Sequence, residues 1–480
     1  MNNIMLMYPP GKLYQRSEDR AQSNIDDSAT NAPHACNDLG YAAAILINRG
    51  YNIFLRDYQT ERATLSEVKK NIESFHPDMI LISTTNATIH IDIDFVNWIK
   101  TFCDCKIILK GAIFFNMAEN LFSTLDLHNI DYLIGGEIDT IIGELTDTIF
   151  KNVGQIQEIP GIIYKDENRF IKTAFNRWET NLDKIPFPAR ELMRNDIYVR
   201  PDTGEPMATI QVARGCPAQC TYCLTPIISG KAIRKRSIEN IFAEIEDCYY
   251  NFGIKNFFFK ADTFTIDSEW AEALCDKIIE SDLHGKIEFT VNSRAKPLNI
   301  KLLEKLKTAG CFMFAIGFES GSENTLKMIK KGVTKEENLI AAKMVQQVGI
   351  PLLGFFMIGF PWETKEDILD TLNFIFEINP DFMELHIAMP YFGTELYSDC
   401  LRFKTISGEA WGNDYCSPNT IGTASVTMDE ILKLKKIYLL KFYLRPSFII
   451  KKFKACFFNP IIIKNYAKYG FKLIKKNLFR

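Results

Sequence analysis

The 480-residue sequence lacks an N-terminal basic segment followed by a sustained apolar run, and it has no stretch of eighteen uninterrupted apolar residues. These absences predict a cytoplasmic protein without a membrane-spanning helix. Its twelve cysteines lack the spacing of a small disulfide scaffold, so we expect reduced thiols and interpret any tight cysteine cluster as a metal site. Internal repeats and low-complexity tracts are also missing. Because 47% of the residues are hydrophobic and 24% are charged, we expect two or three domains with their own cores.

Acidic residues are missing from the chain after Glu430, where fourteen Lys or Arg residues occur. Since the whole chain has a formal charge of -3, the preceding part carries -17. The basic tail mixes its cations with aromatic and aliphatic residues, which is typical of a helix at a membrane surface or against an anionic ligand. The alternative, which we favour, is a helical segment that packs its apolar face on the acidic body. That acidic body, with no appended RNA-binding module, predicts that nucleic acid is not the substrate.

Residues 1–150 alternate short apolar runs, such as NIMLMYP, YNIFLRD and DMILISTT, with amphipathic helical patterns. This alternation predicts a doubly wound parallel sheet of the Rossmann type, which binds ligands past the carboxyl ends of its strands. A long polar segment, residues 10–37, follows the first predicted strand. We expect it at the ligand edge of the sheet, although long loops of this kind are also often disordered.

The remainder of the chain divides into three segments. Residues 151–205 read as a hairpin followed by a proline-broken linker. Residues 206–425 contain six apolar strand candidates, from MATIQVA to DFMELHIAM, separated by helical patterns. Six strand and helix units predict a partial (βα)6 barrel with its chemistry at the carboxyl ends of the strands. Residues 426–480 form the basic, helical C-terminal segment.

A cysteine cluster follows the first strand of this second series, in the segment VARGCPAQCTYC. Thiolates at Cys216, Cys220 and Cys223 can hold one iron-sulfur cube and leave its fourth iron without a protein ligand. A chelating ligand, such as the amino and carboxylate groups of S-adenosylmethionine (SAM), can occupy that iron. A structural zinc site would need a fourth ligand nearby, but the next cysteine, Cys248, lies on a predicted helix.

The segment RGCPAQCTYC resembles the cluster loop of the radical SAM superfamily, in particular its branch with an N-terminal cobalamin-binding domain. The motifs RKRSIENIFAEIE, ADTFTID, NSRAK, GFESGS, IGFPWET and PYFGTELY continue the resemblance in family order. It implies a 4Fe-4S cluster on the three cysteines and SAM contacts at Tyr222, Asp262, Thr263, Arg294, Glu319, Ser320 and Gly359. The chain departs at Ala261, where the family often has a second acidic residue. The competing interpretation makes the glycines turn residues and pairs Arg294 with Glu319 at the barrel rim.

The N-terminal region is similar to the cobalamin-type domain through YPPGKLY, LGYAAAILINRGYNIFLRD, FHPDMILIST and DYLIGGEIDT. The Asp-x-His-x-x-Gly cobalamin loop is absent, because His128 is followed three residues later by Asp131. Many members of the branch bind cobalamin without a histidine ligand, and some have the domain without cobalamin. If cobalamin binds, we expect it near Ser83, Thr84, Thr85, Gly135 and Gly136, where small residues permit close approach. The Ser-Thr-Thr cluster would otherwise cap a helix.

The resemblance implies an enzyme of a biosynthetic pathway that cleaves SAM reductively to a 5'-deoxyadenosyl radical. This radical would functionalise an unactivated carbon of a small-molecule, lipid or natural-product substrate, and cobalamin-dependent methylation is the leading interpretation. Cobalamin-independent dehydration, cyclisation or oxidation is the alternative, and a non-catalytic iron-sulfur or cobalamin sensor is a third. A sensor needs no open iron, so the SAM motifs favour an enzyme. We expect the electron to come from flavodoxin or ferredoxin.

Overall fold

The computed structural model describes residues 1–16, 24–25, 32–114, 124–167, 169–174, 178–406, 420–450 and 460–478. Two large sheets dominate this part of the chain, one of seven strands and one of six. The predicted fold class is confirmed: a doubly wound α/β domain precedes a partial (βα)6 barrel and a helical C-terminal segment. None of the described helices is both long and apolar enough to cross a membrane.

The first sheet begins with five parallel strands, which are β1 (Asn3–Tyr8), β2 (Asn52–Asp57), β3 (Met79–Ser83), β4 (Lys106–Lys110) and β5 (Tyr132–Ile134). Helices on its two faces are α1 (Asn37–Asn48), α2 (Leu65–Phe75), α3 (Ile89–Lys100) and α4 (Ile142–Lys151). The order β2-β1-β3-β4-β5 reverses direction between β1 and β3. Their carboxyl ends therefore form the crevice where such sheets bind ligands. The polar segment 10–37, predicted at this edge, lies only partly within the described residues.

An antiparallel hairpin, made of β6 (Ile162–Asp166) and β7 (Arg169–Lys172), extends this sheet beyond β5. The chain then reaches the second domain through a buried chain of charges. Arg190 Nη2 lies 2.7 Å from Glu244 Oε1, and Glu244 also pairs with Arg236. All three side chains are at most 5% exposed. Loss of the central carboxylate would leave two arginines buried, so this chain of charges anchors the linker on the barrel.

The second sheet consists of six parallel strands, which are β8 (Met207–Gln211), β11 (Asn256–Lys260), β12 (Glu288–Ser293), β13 (Cys311–Glu319), β14 (Leu352–Ile358) and β15 (Phe382–Ile387). A separate antiparallel pair, β9 (Ala213–Arg214) and β10 (Arg234–Lys235), follows β8. The spatial order β8-β11-β12-β13-β14-β15 follows the chain order. Because β8 and β15 are not paired with each other, the barrel is open on one side.

Helices between these strands are α5 (Thr225–Ile228), α6 (Ile238–Phe252), α7 (Ser268–Glu280), α8 (Ile300–Thr308), α9 (Glu323–Met328), α10 (Lys335–Val348), α11 (Lys365–Ile378) and α12 (Glu395–Arg402). Side-chain caps fix where they begin: Thr334 and Thr364 form capping boxes, and Asn299 accepts from the backbone of Leu302. Short 3-10 turns occur at Ala112–Phe114, Ile138–Thr140, Ile156–Glu158, Leu182–Lys184, Arg190–Leu192, Asn195–Ile197 and Phe264–Ile266.

Two C-terminal helices, α13 (Met428–Tyr443) and α14 (Pro460–Leu478), lie at the open side of the barrel. Helix α13 buries Ile431 and Phe442 in the barrel core. Helix α14 contacts both edges of the opening. The ring of Tyr466 stacks on Phe382 of β15 at a centroid distance of 6.3 Å, and Asn465 donates to the Asp202 carbonyl, just before β8, at 2.8 Å. The opening between β8 and β15 is therefore covered by the chain's own tail.

Candidate functional site

The loop that carries the three cysteines leaves β9 at the carboxyl end of the barrel and ends at α5. Cys216 and Cys220 are buried, Cys223 is partly buried, and none of the three forms a disulfide bond. Gly215 begins the loop with a φ of 90°. A Cβ at this position would lie 2.0 Å from the Ala232 carbonyl oxygen. Only glycine fits there, so the backbone path into Cys216 is fixed by close packing.

A carboxylate from the next strand braces the loop at both ends. Asp262 accepts the Gly215 backbone N–H at 2.7 Å and the Thr225 hydroxyl at 3.1 Å. The neighbouring Thr263 hydroxyl lies 3.7 Å from the Cys216 sulfur. The structure thus brings both residues of the ADTFTID motif against the cysteine loop. The hydrogen bonds of Asp262 therefore stabilise the conformation of the loop.

The three thiols of the loop need not surround one point in order to serve a cluster. No group of three or more His, Cys, Asp or Glu side chains in the described ranges could hold a metal ion. A cube places each cysteine on a different iron, so its thiolates need not converge on one point. Arg294 Nη1 donates to the Cys220 sulfur at 3.1 Å. Its positive charge complements the negative charge of a thiolate-bound cluster.

A buried lysine connects several of the sequence-predicted SAM residues. Lys331 Nζ donates to Glu319 Oε1 at 2.7 Å and lies 3.3 Å from the Tyr222 hydroxyl, and its carbonyl accepts from Arg294. Burial and the Glu319 charge raise the pKa of Tyr222 well above its ordinary value. Glu319 itself has a left-handed φ of 66°, a strained conformation that clusters at functional sites. Sequence reasoning missed Lys331, because no motif marks it.

The remaining two predicted SAM residues lie differently. Ser320 is fully buried, and its hydroxyl is 2.7 Å from the Thr371 hydroxyl on α11. Gly359 follows β14 with a φ of 88°, and its N–H donates to Glu363 Oε2 at 2.7 Å. Glu363 is also fully buried and accepts the Phe360 N–H at 3.1 Å. Gly359 is therefore bonded to a buried carboxyl, whereas Ser320 is bonded to helix α11 on the outer side of β13.

The Glu363 carboxyl predicts a pH dependence of stability. Burial raises its pKa to about 8, although the backbone donors at Gly359 and Phe360 oppose this shift. Since the folded chain binds this proton more tightly, the stabilisation is complete below the ordinary pKa of 4.5 and is lost as pH rises through about 8. Relative to Glu363→Gln, the wild-type unfolding free energy should fall by up to about 1.4 kcal/mol per pH unit in that range. Denaturant unfolding of both chains at several pH values measures this difference, and a flat or rising difference would contradict it.

At the N-terminal sheet, the predicted hydroxyl residues are committed to carboxylates. Ser83 donates to Asp38 at 2.8 Å, and Thr84 donates to Asp92 at 2.5 Å. Asp92 also pairs with Arg16 at 2.8 Å, and both of these side chains are buried. Ser83 and Thr84 are themselves buried, and Thr85 contacts the Thr88 hydroxyl. These residues therefore form part of the lining of the crevice at the carboxyl ends of β1 and β3.

A cavity separates this sheet edge from the cysteine loop and is lined from both domains. Its N-terminal side includes Asn37, Asp38, Lys110 and Gly136, and its barrel side includes Gln211, Arg214, Thr225, Lys260 and Asp262. Gly135 is held by the Gly161 carbonyl at 3.4 Å. Asn37 donates through Nδ2 to the Thr209 carbonyl at 2.6 Å, whereas its buried Oδ1 has no hydrogen-bond partner among the described residues. An unpaired acceptor beside a small residue fits a flat macrocycle that carries amide donors.

Ion pairs join the two domains beside this cavity. Glu137 lies 2.6 Å from Arg234 and 3.1 Å from Arg214, and Asp139 lies 2.6 Å from Arg214. Both arginines flank the cysteine loop, on β9 and β10, whereas both carboxylates follow β5 of the first sheet. Burial opposes the ionisation of Glu137, but the two arginines lower its pKa below the ordinary value. Buried ion pairs therefore fix the position of the cysteine loop relative to the edge of the N-terminal sheet.

Sequence comparison relates this chain to known proteins. The radical SAM superfamily profile matches residues 210–375. An uncharacterized methyltransferase of Pyrococcus horikoshii is 28% identical over 86% of this chain and 88% of its own length. Cytidylyl-2-hydroxyethylphosphonate methyltransferase of Streptomyces wedmorensis is 24% identical over 76% of this chain and 77% of its own. The chain thus aligns over most of its length with proteins named as methyltransferases.

Two solved structures share the fold of both domains. The radical SAM methyltransferase TsrM of Kitasatospora setae, with cobalamin and a 4Fe-4S cluster bound, matches with a TM-score of 0.65 and 17% identity over 82% of this chain and 74% of that one. The cobalamin-dependent SAM radical enzyme OxsB, with aqua-cobalamin and SAM bound, matches with a TM-score of 0.72 and 16% identity over 99% and 72%. The resemblance predicted from the sequence is confirmed: residues 210–375 match the radical SAM superfamily profile, and the chain shares the fold of the cobalamin-dependent enzymes TsrM and OxsB.

Proposed function

We propose that Cys216, Cys220 and Cys223 bind a 4Fe-4S cluster and that the chain methylates a carbon of its substrate with SAM and cobalamin. The observation that carries this proposal is the cysteine loop, braced by Asp262 and contacted by Arg294 opposite the N-terminal sheet edge. When bound, these cofactors supply one-electron cleavage of SAM and a transferable methyl group. The chain's own residues orient the cofactors and exclude water around them.

The SAM subsite is proposed beside the Lys331 cluster. Glu319 and Lys331 offer one acceptor and one donor in a pair at 2.7 Å, which complements the amino and carboxylate groups of the methionyl part. The ring of Tyr222, 6.1 Å from that of Phe360, provides an apolar face for adenine. The raised pKa of Tyr222 keeps its hydroxyl protonated. Thr263 lies next to Cys216, at the base of this subsite.

Cobalamin is proposed to lie in the cavity between the domains. Gly136 allows close approach, while Lys110, which also pairs with Asp38 at 3.5 Å, and the Asn37 oxygen, unpaired among the described residues, face its amide groups. If cobalamin does not bind in this cavity, the proposed alternative is that the enzyme uses the SAM radical for dehydration, cyclisation or oxidation. In either case, flavodoxin or ferredoxin is the proposed source of the electron.

Anaerobic reconstitution tests this proposal. We expect about four irons and one cobalamin per chain after incubation with iron, sulfide and cobalamin. With SAM and a chemical reductant, methionine and 5'-deoxyadenosine should form and be measured by mass spectrometry. A cluster that cleaves SAM without retained cobalamin would favour the alternative chemistry. A reconstituted protein that holds no cluster would contradict the proposal.

The outer surface of α14 supports a proposed contact with an anionic membrane surface. Ile461, Ile463 and Phe471 are exposed by 58%, 45% and 68%, and exposed Lys464 and Lys468 lie between them. Apolar and cationic side chains on one helix are typical of interfacial binding. No acidic residue follows Glu430 to oppose this charge.

A double charge reversal tests this contact. Lys464→Glu with Lys468→Glu should weaken binding to vesicles that contain phosphatidylserine by at least about tenfold, because each lysine contributes about 1 kcal/mol near such a surface. The matched control reverses Lys327 and Lys343, two exposed lysines on barrel helices. Equal vesicle sedimentation of the α14 variant and the control would contradict the contact.

A further inference from the structure

A second cavity lies inside the barrel, with a volume of about 300 Å³, which is within the range of small-molecule sites. Most of its lining is apolar and comes from the inward faces of the strands. These residues are Met207, Phe258, Phe312, Met313, Leu353, Phe355 and Phe382. Several lie at the amino-terminal ends of their strands, so the cavity extends along the barrel interior away from the cysteine loop.

The polar side chains of this cavity come from several elements, and they include Asp202, which lies just before β8. Glu384 lines it from β15, and Thr290 and Asn292 line it from β12. Two residues further along β15, His386 Nε2 lies 3.1 Å from Glu384 Oε2. Among the described lining residues there is no Arg or Lys. An acidic or phosphorylated molecule would therefore meet a carboxylate without a compensating cation, whereas a hydroxyl or amino group would meet an acceptor.

The cavity continues towards the proposed cofactor sites. His34 lines both this cavity and the one between the domains, and its ring lies 5.2 Å from that of Phe258. A molecule that fills the barrel interior would therefore place one end near the opening to the cysteine loop. The rest of such a molecule would lie against the aromatic wall.

The other end of the cavity is lined by the C-terminal helices. Tyr443, Leu444 and Phe448 line it beside α13, and Tyr466 and Gly470 line it from α14. A Cβ built at Gly470 would meet no atom within 4 Å. Helix α14 also spans the gap between the β8 and β15 edges, as described above. It therefore covers the side through which the barrel interior would otherwise be open.

We propose that the substrate is an apolar molecule with one hydroxyl or amino group, held inside the barrel beneath α14 with that group at Glu384. This assignment rests on the proposed function, because it places the substrate of the same reaction. The aromatic and aliphatic lining binds the apolar body, the Glu384–His386 pair fixes its orientation, and α14 separates it from water.

Dye binding to the full chain tests this assignment without SAM. We expect Nile red, an uncharged apolar dye, to bind saturably at one site. Gly470→Phe adds a ring at a position with open space, and it replaces a helical glycine by a better helix former, so folding should be preserved. This variant should bind the dye at least about tenfold more weakly, a difference readily resolved by titration. Ala467→Phe, at an exposed position of the same helix, should bind it like the wild type.

Competition with two displacers addresses the polar group. At pH 8, 1-dodecanol should displace Nile red at a concentration at least about tenfold lower than dodecanoate, whose carboxylate would meet Glu384. Equal dye affinity in Gly470→Phe and the wild type, or stronger displacement by dodecanoate, would overturn the assignment. Loss of SAM cleavage with intact dye binding would overturn only the proposed function. Intact cleavage without dye binding would overturn only this inference.

Discussion

Replacement of Cys216, Cys220 and Cys223 by alanine is expected to lower the iron content of the reconstituted chain from about four atoms to fewer than one. The thiols lie on a loop whose path is fixed at Gly215 and Asp262. This loop carries no fourth cysteine, so we expect no replacement ligand. SAM cleavage should be lost with the cluster, because the electron is proposed to reach SAM through it. Iron analysis, absorption spectra and product analysis measure these effects.

The matched control for this experiment is Cys248→Ala. Cys248 is fully buried on α6, and burial raises its pKa to about 12, so it stays a neutral thiol. Its loss should leave iron content unchanged. Equal iron in the triple variant and the wild type would contradict the assignment of the cluster.

Glu137→Ala is expected to destabilise the contact between the domains by about 3–5 kcal/mol, the usual effect of removing one partner from a buried ion pair. The substitution leaves Arg234 without its carboxylate and Arg214 with Asp139 alone. Both arginines flank the cysteine loop, so cobalamin retention should fall together with stability. Denaturant unfolding and the yield of bound cobalamin measure the two effects.

Two further variants separate charge from volume at this position. Glu137→Gln keeps the size of the side chain. Because it cannot neutralise the arginines, it should be destabilised nearly as much as Glu137→Ala. Glu158→Ala removes an exposed carboxylate after α4 and should change the unfolding free energy by less than about 0.5 kcal/mol. A Glu137→Ala chain as stable as Glu158→Ala would show that the buried ion pairs do not hold the domains together.

Most of the fold could be predicted from local patterns. Apolar runs such as NFFFK and MILIS became buried strands because both faces of these sheets are covered, and capping residues such as Thr334 and Thr364 fixed where helices begin. The closure of the barrel by α14 could not be predicted. It depends on contacts between Asn465 and Asp202, and no local pattern reports such a long separation.

The site was predictable where its residues share one loop or belong to a family motif. The three cysteines share one loop, so their spacing carried the prediction. Lys331 lies outside every motif, 12 residues from Glu319 and 109 from Tyr222, and only the fold brings its amine to both. The Glu384–His386 pair could not be predicted, because its position depends on which face of β15 points into the barrel. Ser83 and Thr84 remain predictions as cobalamin contacts, now with their hydroxyls on Asp38 and Asp92.

The position of α14 has a consequence for synthesis. All six barrel strands precede α14 in the chain, so they leave the ribosome before the helix that covers their interior. At roughly 5–20 residues per second, the interval between β15 and α14 lasts seconds. During this time the aromatic wall around Phe258 and Phe382 faces solvent and is available to an apolar guest or a chaperone. A nascent chain arrested before α14 therefore displays an open pocket that the finished protein encloses.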